Sequence, residues 1–365
     1  MKKERAVVCI HTAKSFCDFI WYYSTYGQQY EWDIVVDFYN DDEPQVKYYK
    51  QFNIFKNIIC IKDVVWNHKY KFLLSAMMNF FIFRKKKFIK NIINKDIDLS
   101  SYSKVLLCAD NNYLEGFFIA LSKEINVEIL EDGTLDYFPR SKAPIKVNNS
   151  MLFSFVYWIL AKMGYMNVYG RYYVKNTKYC TKYCSFPDRL KYTNYAQINK
   201  LNDFSNTDKN MYDSLVKEIF NYDVECIDKS RKNLVLLTTP MDDFFGNVEQ
   251  INSVTCQYIR ENYPDYNIYI KRHPRDHFKY DIDEIMEFDK NTPAELILTA
   301  GDFDKEIYMF PSSILMFTNE NHNIEILNFE KYIDEKATGC IKYKDTFEKA
   351  MEIEKVDNNK VVYLD

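Results

Sequence analysis

The sequence predicts an α/β protein built from two parallel sheets in succession. Two observations carry this. In the amino half of the 365-residue chain, short apolar and β-branched runs alternate with segments of helical spacing, the pattern of a parallel sheet covered by helices. The same alternation restarts near residue 233. The length allows two domains of ordinary size, each with its own core.

In chain order, strands are predicted at Ala6–Ile10, Asp33–Phe38, Asn57–Ile61, Lys104–Ala109 and Asn126–Leu130, with helical spacing over Lys71–Ile93 and Tyr113–Lys123. Gln197–Asn210 is rich in Asn, Asp, Ser and Thr and lacks an apolar period, so it reads as a linker. The domains are therefore expected at 1–200 and 201–365, with the final residues packing back on the first domain. Met211, Leu215 and Ile219 mark a helix with one apolar stripe. A second sheet begins at Asn233–Thr238. Val248, Ile251, Val254, Tyr258 and Ile259 give the next helix, and strands follow at Asn267–Ile270 and Glu306–Phe310.

Hydrophobic residues at 47% and charged residues at 27% place the chain among globular proteins. A net charge of −4 offers no field for a polyanion, which argues against nucleic acid as a partner. The nine Cys are odd in number and scattered, with Cys9, Cys60 and Cys108 inside predicted strands. No signal peptide precedes Arg5–Ile10, so they read as buried free thiols of a reducing, cytoplasmic compartment. Cys180 and Cys184 form a C-x-x-x-C pair with no nearby His or second pair, short of the four ligands of a structural zinc site.

No stretch approaches the ~20 apolar residues of a membrane-spanning helix. The apolar run Phe72–Phe83 is followed by Arg84, Lys85, Lys86 and Lys87, and Met151–Ala161 is apolar except for Ser154. Such a pairing suits peripheral contact with an anionic inner membrane. Two core helices and a solvated charge run are the simpler structural reading.

The most strongly shaped stretch is Asn267-Ile268-Tyr269-Ile270-Lys271-Arg272-His273-Pro274. A β-prone run leads into two cations and a histidine. Pro274 then biases His273 towards extended backbone and ends the strand. That puts an imidazole at the carboxyl end of a strand, where open α/β sheets bind ligands.

Three further clusters occupy predicted strand ends or helix starts. Glu131-Asp132-Gly133-Thr134 follows a strand and offers a carboxylate base, although Asp-Gly is also an ordinary turn. Asn291-Thr292-Pro293-Ala294-Glu295 reads as a helix start, with Glu295 either in a capping box or placed to accept from a ribose diol. Phe310-Pro311-Ser312-Ser313 supplies hydroxyls and N–H groups suited to a phosphate if a helix begins there.

Together the four clusters resemble the bacterial sialyltransferases, including the capsule polysialyltransferases. That group carries, in this order, an acidic-acidic-Gly motif, a Lys-x-His-Pro motif, a Pro-x-Glu helix start and a Ser-Ser pair. The likeness spans roughly residues 126–320. It implies a GT-B-type fold, two Rossmann-like domains facing across a cleft that holds the active site. It also implies an inverting transferase moving sialic acid or a related nonulosonic acid from a CMP donor to a hydroxyl of a surface glycan, capsule or lipooligosaccharide.

In that family's terms Lys271, beside Pro274, would lie near the nucleotide base. Glu295 would hold the ribose, and Ser312 and Ser313 the phosphate. His273 would protonate or hydrogen-bond that phosphate as the glycosidic bond breaks. Glu131, with Asp132 as close rival, would be the base.

Since these phosphate ligands are all protein groups, no metal or other cofactor is expected. The triplets Asp281-Ile282-Asp283 and Asp302-Phe303-Asp304 read as solvated loops. On the acceptor side, His11 and Thr12 follow the first strand, and Asp110, Asn111 and Asn112 follow the fourth. Caps or polar turns explain them equally well. His277 reads as solvated.

Two rival readings remain open. A CDP-glycerol-type glycerophosphotransferase also carries a Lys-x-His-Pro-like motif on this scaffold but does not explain Glu131-Asp132-Gly133. A non-catalytic, membrane-docked glycan-assembly protein would use Phe72–Lys87 and need no carboxylate partner for His273.

Overall fold

The computed structural model describes residues 3–10, 12–36, 46–60, 101–108, 115, 118–119, 121–131, 136–137, 176–201, 205–220, 227–228, 230–300, 303–311, 323–333, 340–354 and 357–364. They fall into two compact units, Met1–Asn221 and Tyr222–Asp365. Each is an α/β layer structure on a parallel sheet.

In the first unit, β1 (Glu4–Ile10) is buried from Ala6 to Ile10 and lies at the sheet centre. A continuous apolar run is what a strand covered on both faces requires. It pairs in parallel with β2 (Tyr30–Val36) and β4 (Lys104–Leu107). β3 (Phe55–Cys60), β5 (Asn126–Ile129), β6 (Thr181–Cys184) and β7 (Gln197–Lys200) complete the described strands in the order β3-β2-β1-β4-β5-β6-β7. The order reverses direction between β1 and β4, a doubly wound, Rossmann-like arrangement. Helix α1 (Ala13–Tyr22) follows β1. It packs through Phe16 and Phe19 against Phe52 and Phe55, around α2 (Val46–Gln51) and the start of β3.

The expected linker is not one. Gln197–Lys200 is the edge strand β7, and α3 spans Asn206–Phe220. The polar residues have local tasks. The Ser205 hydroxyl accepts from Asp208 N and donates to the Asp208 carboxylate, closing the first turn of α3. A polar edge strand suits a sheet rim. Helix α3 belongs to the first unit. Tyr212 stacks on Trp21 at 3.9 Å, and Phe220 meets Phe16 and Tyr48. The expected division at residue 200 thus precedes a helix that packs on α1 and α2 of the first unit.

The second unit repeats the topology. β8 (Lys232–Leu237) is central. It is joined by β9 (Tyr266–Lys271), β10 (Met286–Glu287), β11 (Lys305–Tyr308), β12 (Ile324–Asn328) and β13 (Val361–Tyr363) in the order β10-β9-β8-β11-β12-β13, all parallel. The reversal lies between β8 and β11. Helices α4 (Val248–Asn262), α5 (Ala294–Ala300) and α6 (Cys340–Glu354) accompany them. Val361–Tyr363 pair with β12 as a strand of the second sheet.

Two successive Rossmann-like units make this an α/β protein of the GT-B fold class. Among the described residues, no helix is long and apolar enough to cross a membrane.

Candidate active site

In the second unit the predicted His-Pro stretch sits where the sequence placed it. Ile268, Tyr269, Ile270 and Lys271 are buried in β9, and the strand stops at Lys271. The His273 carbonyl accepts from Asp276 N at 2.9 Å, so residues 273–276 form a β-turn with Pro274 as its second residue. Proline presets the backbone for that position. Inside the turn, Arg275 N donates to His273 Nδ1 at 3.2 Å. A nitrogen that accepts carries no proton, so the neutral ring is protonated on Nε2.

The turn is tied to the neighbouring strand. His273 N donates to Thr238 Oγ1 at 3.1 Å, and Thr238 N donates to Lys271 O at 3.1 Å. Thr238 directly follows β8, so His273 stands beside the reversal point of this sheet. Tyr280 OH donates to Asp276 Oδ2 at 2.9 Å and lies 3.3 Å from Met309 Sδ, just past β11. Burial, then the Asp276 charge, push the Tyr280 phenol well above its ordinary pKa, so it stays protonated. The segment 273–280 is therefore fastened across the ends of β8, β9 and β11.

Lys271 is buried, and its ammonium donates to Arg272 O at 2.6 Å and Lys290 O at 2.9 Å. Burial lowers its pKa from 10.5 to about 8, against the opposing pull of Glu295, Asp289 and Glu287. Glu295 lies in the first turn of α5, as expected, half-buried within the electrostatic reach of Lys271. Arg272 pairs with Glu287 at 2.7 Å and donates to Phe278 O, bracing the loop from outside. Past β11, Phe310 stacks on Phe244 at 4.8 Å, and Pro311 is buried. Ser312 and Ser313 lie outside the described residues.

In the first unit, Glu131 follows β5 and is only 2% exposed. Its Oε2 accepts from Tyr137 OH at 2.7 Å and Ser185 N at 2.8 Å. Its Oε1 accepts from Ser185 Oγ at 2.7 Å and lies 3.4 Å from Lys14 Nζ. Burial would raise its pKa, but Lys14 and these hydrogen bonds outweigh burial and hold the carboxyl below its ordinary value. A sealed carboxylate with donors on both oxygens is a weak proton acceptor. Beside it, Lys182 pairs with Asp136 at 2.7 Å and donates to Leu130 O, both side chains buried. Asp132 and Gly133 lie outside the described residues.

Thr12, read as an acceptor-side candidate, caps α1. Its hydroxyl accepts from Ser15 N at 3.1 Å, and Ser15 Oγ accepts from Thr12 N at 2.9 Å. His11, Asp110, Asn111, Asn112, Phe72–Lys87 and Met151–Ala161 lie outside the described residues. His277 is exposed as expected. Asp281 is almost fully exposed, and Asp304 Oδ2 accepts from Asn233 N at 2.8 Å, which makes it a cap on the start of β8. Cys180 and Cys184 are buried free thiols, the latter pushed up to about 12 by burial.

Sequence reasoning missed the residues that hold these groups: Lys14, Tyr137 and Ser185 around Glu131, and Thr238, Asp276 and Tyr280 around His273. Two had a readable signal. Asp276 occupies the fourth position of a turn begun by His-Pro, and Thr238 ends the buried run of the strand preceding the His-Pro strand.

No protein-family model and no curated protein sequence matches the chain. Solved structures do resemble it. One is an α/β-galactoside α-2,3-sialyltransferase from Photobacterium phosphoreum, 13% identical with a TM-score of 0.54 over 100% of this chain and 99% of that one. Another is a 2,6-sialyltransferase from Photobacterium sp. JT-ISH-224 in complex with CMP and lactose. It is 12% identical with a TM-score of 0.55, covering 100% of this chain and 78% of that one. A sialyltransferase from Photobacterium damsela is 11% identical with a TM-score of 0.50, covering 99% and 82%. At these identities the likeness is one of fold: the chain shares the architecture of bacterial sialyltransferases.

Proposed function

We propose that this protein is an inverting glycosyltransferase that moves a sialic acid, or a related nonulosonic acid, from its CMP-activated form to a hydroxyl of a surface glycan. One observation carries the reading. His273 is held in a built turn at the carboxyl end of β9, beside the strand-order reversal where Rossmann-like sheets bind nucleotides. The shared fold supports it, since one neighbour was solved with CMP and lactose.

In this mechanism His273 Nε2 donates to the CMP phosphate as the bond to the sugar breaks. Ser312 and Ser313 bind the same phosphate, and Glu295 accepts from the ribose hydroxyls. Lys271 acts at one remove: its ammonium joins the end of β9 to the Lys290 loop before α5, setting His273 and Glu295 in register. The acceptor hydroxyl loses its proton to a carboxylate of the acidic pair. Glu131 is committed to Lys14, Tyr137 and Ser185. The base is therefore Asp132.

With only protein groups on the phosphate, transfer proceeds without a metal. Peripheral contact with the inner membrane through Phe72–Lys87 would bring the enzyme to a lipid-linked acceptor. The test is incubation of purified protein with CMP-sialic acid, with and without sialylated or galactosylated acceptors, in excess EDTA. Release of CMP that rises with acceptor supports the proposal. Inertness towards CMP-sialic acid with turnover of CDP-glycerol would replace it with glycerophosphate transfer.

A further inference from the structure

Two sets of hydrogen bonds hold the turn behind His273. Tyr280 has one proton, and it goes to Asp276 Oδ2. The same hydroxyl lies 3.3 Å from Met309 Sδ. Thr238 Oγ1 accepts from His273 N. The turn is thus held on one side by Thr238, through His273 N–H, and on the other by Asp276, whose carboxylate accepts from Tyr280 OH. Asp276 then closes the loop, since its N–H donates to His273 O and its Oδ1 accepts from Phe278 N.

We infer that Thr238, Tyr280 and Asp276 are positioning residues that hold the His273 turn so that Arg275 N–H reaches Nδ1 and the neutral ring keeps its proton on Nε2. The inference deepens the proposed function and rests on that reading for its kinetic consequence. The geometry it explains is independent of substrate.

The packing agrees. Thr238, Asp276 and Tyr280 are all buried, so each must use its polar atoms within the protein. The three come from different stretches of chain: the end of β8, the turn itself, and the segment leading towards β10. Such a closure joins both sides of the turn to the core. The charged and titratable groups facing it are Arg272, which lies over the Tyr280 ring at 5.7 Å, and Asp276 itself.

The test uses Thr238→Val, Thr238→Ser and Tyr280→Phe in the full chain. Long-range proton–nitrogen NMR correlations read which imidazole nitrogen of His273 carries the proton, with His273→Gln assigning the signal. The expected result is one Nε2–H form in the wild type, a mixture of both tautomers in Thr238→Val and Tyr280→Phe, and recovery of the single form in Thr238→Ser. A single unchanged tautomer in both Thr238→Val and Tyr280→Phe overturns the inference whether or not the protein transfers sialic acid.

On the kinetic side, Thr238→Val should lower kcat for transfer about tenfold with KM for the donor little changed, and should add no further loss in a His273→Ala background. A full additional tenfold loss in that background would mean that Thr238 acts other than through His273 and would equally overturn the inference. Absence of any wild-type transfer, with the tautomer result as expected, would sink the functional reading alone.

Discussion

Each unit holds a buried charge close to the carboxyl end of a strand and beside a candidate functional residue, and the two end in opposite states. Glu131, after β5, keeps its charge more firmly than a free glutamate because a cation, a backbone N–H and two hydroxyls converge on it. Lys271, at the end of β9, holds its proton less firmly than a free lysine, since backbone carbonyls and distant carboxylates do not offset its burial. The difference is one of partners. Burial disfavours both charges, and only a full shell of complementary groups reverses that. It also separates roles. A carboxylate this well satisfied takes up a proton reluctantly, and under the proposed function the base is its neighbour Asp132.

The largest expected effect breaks the comparison at its functional end. Asp132→Asn and His273→Ala should each cut transfer from CMP-sialic acid by about 10²-fold or more, the scale of losing an acid or base group. Both variants should unfold at the wild-type temperature, and CMP affinity should survive in Asp132→Asn because the base serves the acceptor. A dead but stable Glu131→Gln beside an active Asp132→Asn would return the base to Glu131.

Next in size is the loss at Glu131 itself. Glu131→Gln keeps the shape but replaces one acceptor oxygen with an NH₂ group, which leaves Ser185 or Tyr137 facing a donor. An orphaned buried donor and a weakened contact to Lys14 together cost about 3 kcal/mol. The pH dependence carries a sign. The folded pKa lies below the ordinary 4.5, so the stabilisation is present above that value and fades as pH falls through the folded pKa. Denaturant melts of wild type and Glu131→Gln should therefore differ most near pH 7 and converge in acid. A constant gap would mean that the charge is not what Ser185 and Tyr137 recognise.

How far the sequence is legible follows the same physics. β1, β4, β5, β8 and β9 are largely apolar and can be read directly, and β11 is read through the run Ile307–Phe310 that begins inside it. β6 and β12 cannot, because each carries a charge that its partners hide: Lys182 against Asp136, and Glu325 against Lys305, Tyr258 and Tyr263. Such strands look polar until the tertiary partners are known. The asparagine-rich stretch before Met211 fails similarly, since capping and edge-strand residues share their composition with linkers. Of the site, the His-Pro turn and the Glu295 helix start are local and show in the sequence. The bond from His273 N to Thr238 and the shell around Glu131 join segments far apart in sequence and do not.

The smallest effect sharpens the other half of the comparison. Lys271 has a folded pKa of about 8 against an ordinary 10.5, so at neutral pH the folded protein carries a cation it would shed more readily than the unfolded chain. Between those values the unfolded state binds more protons, so this residue's contribution to stability rises with pH. From pH 8 to 10 the gain is about 2 kcal/mol for one such group. Buried tyrosines such as Tyr22 and Tyr137, whose pKa values are raised, act in the opposite sense once the unfolded chain begins to ionise near pH 10. The informative quantity is therefore the difference between wild type and Lys271→Met, measured by denaturant unfolding at intervals from pH 7 to 10. The wild type should gain on the variant across that range. A flat difference would mean that the contacts to Arg272 O and Lys290 O hold the ammonium as well as water does, and that the two buried charges are satisfied alike.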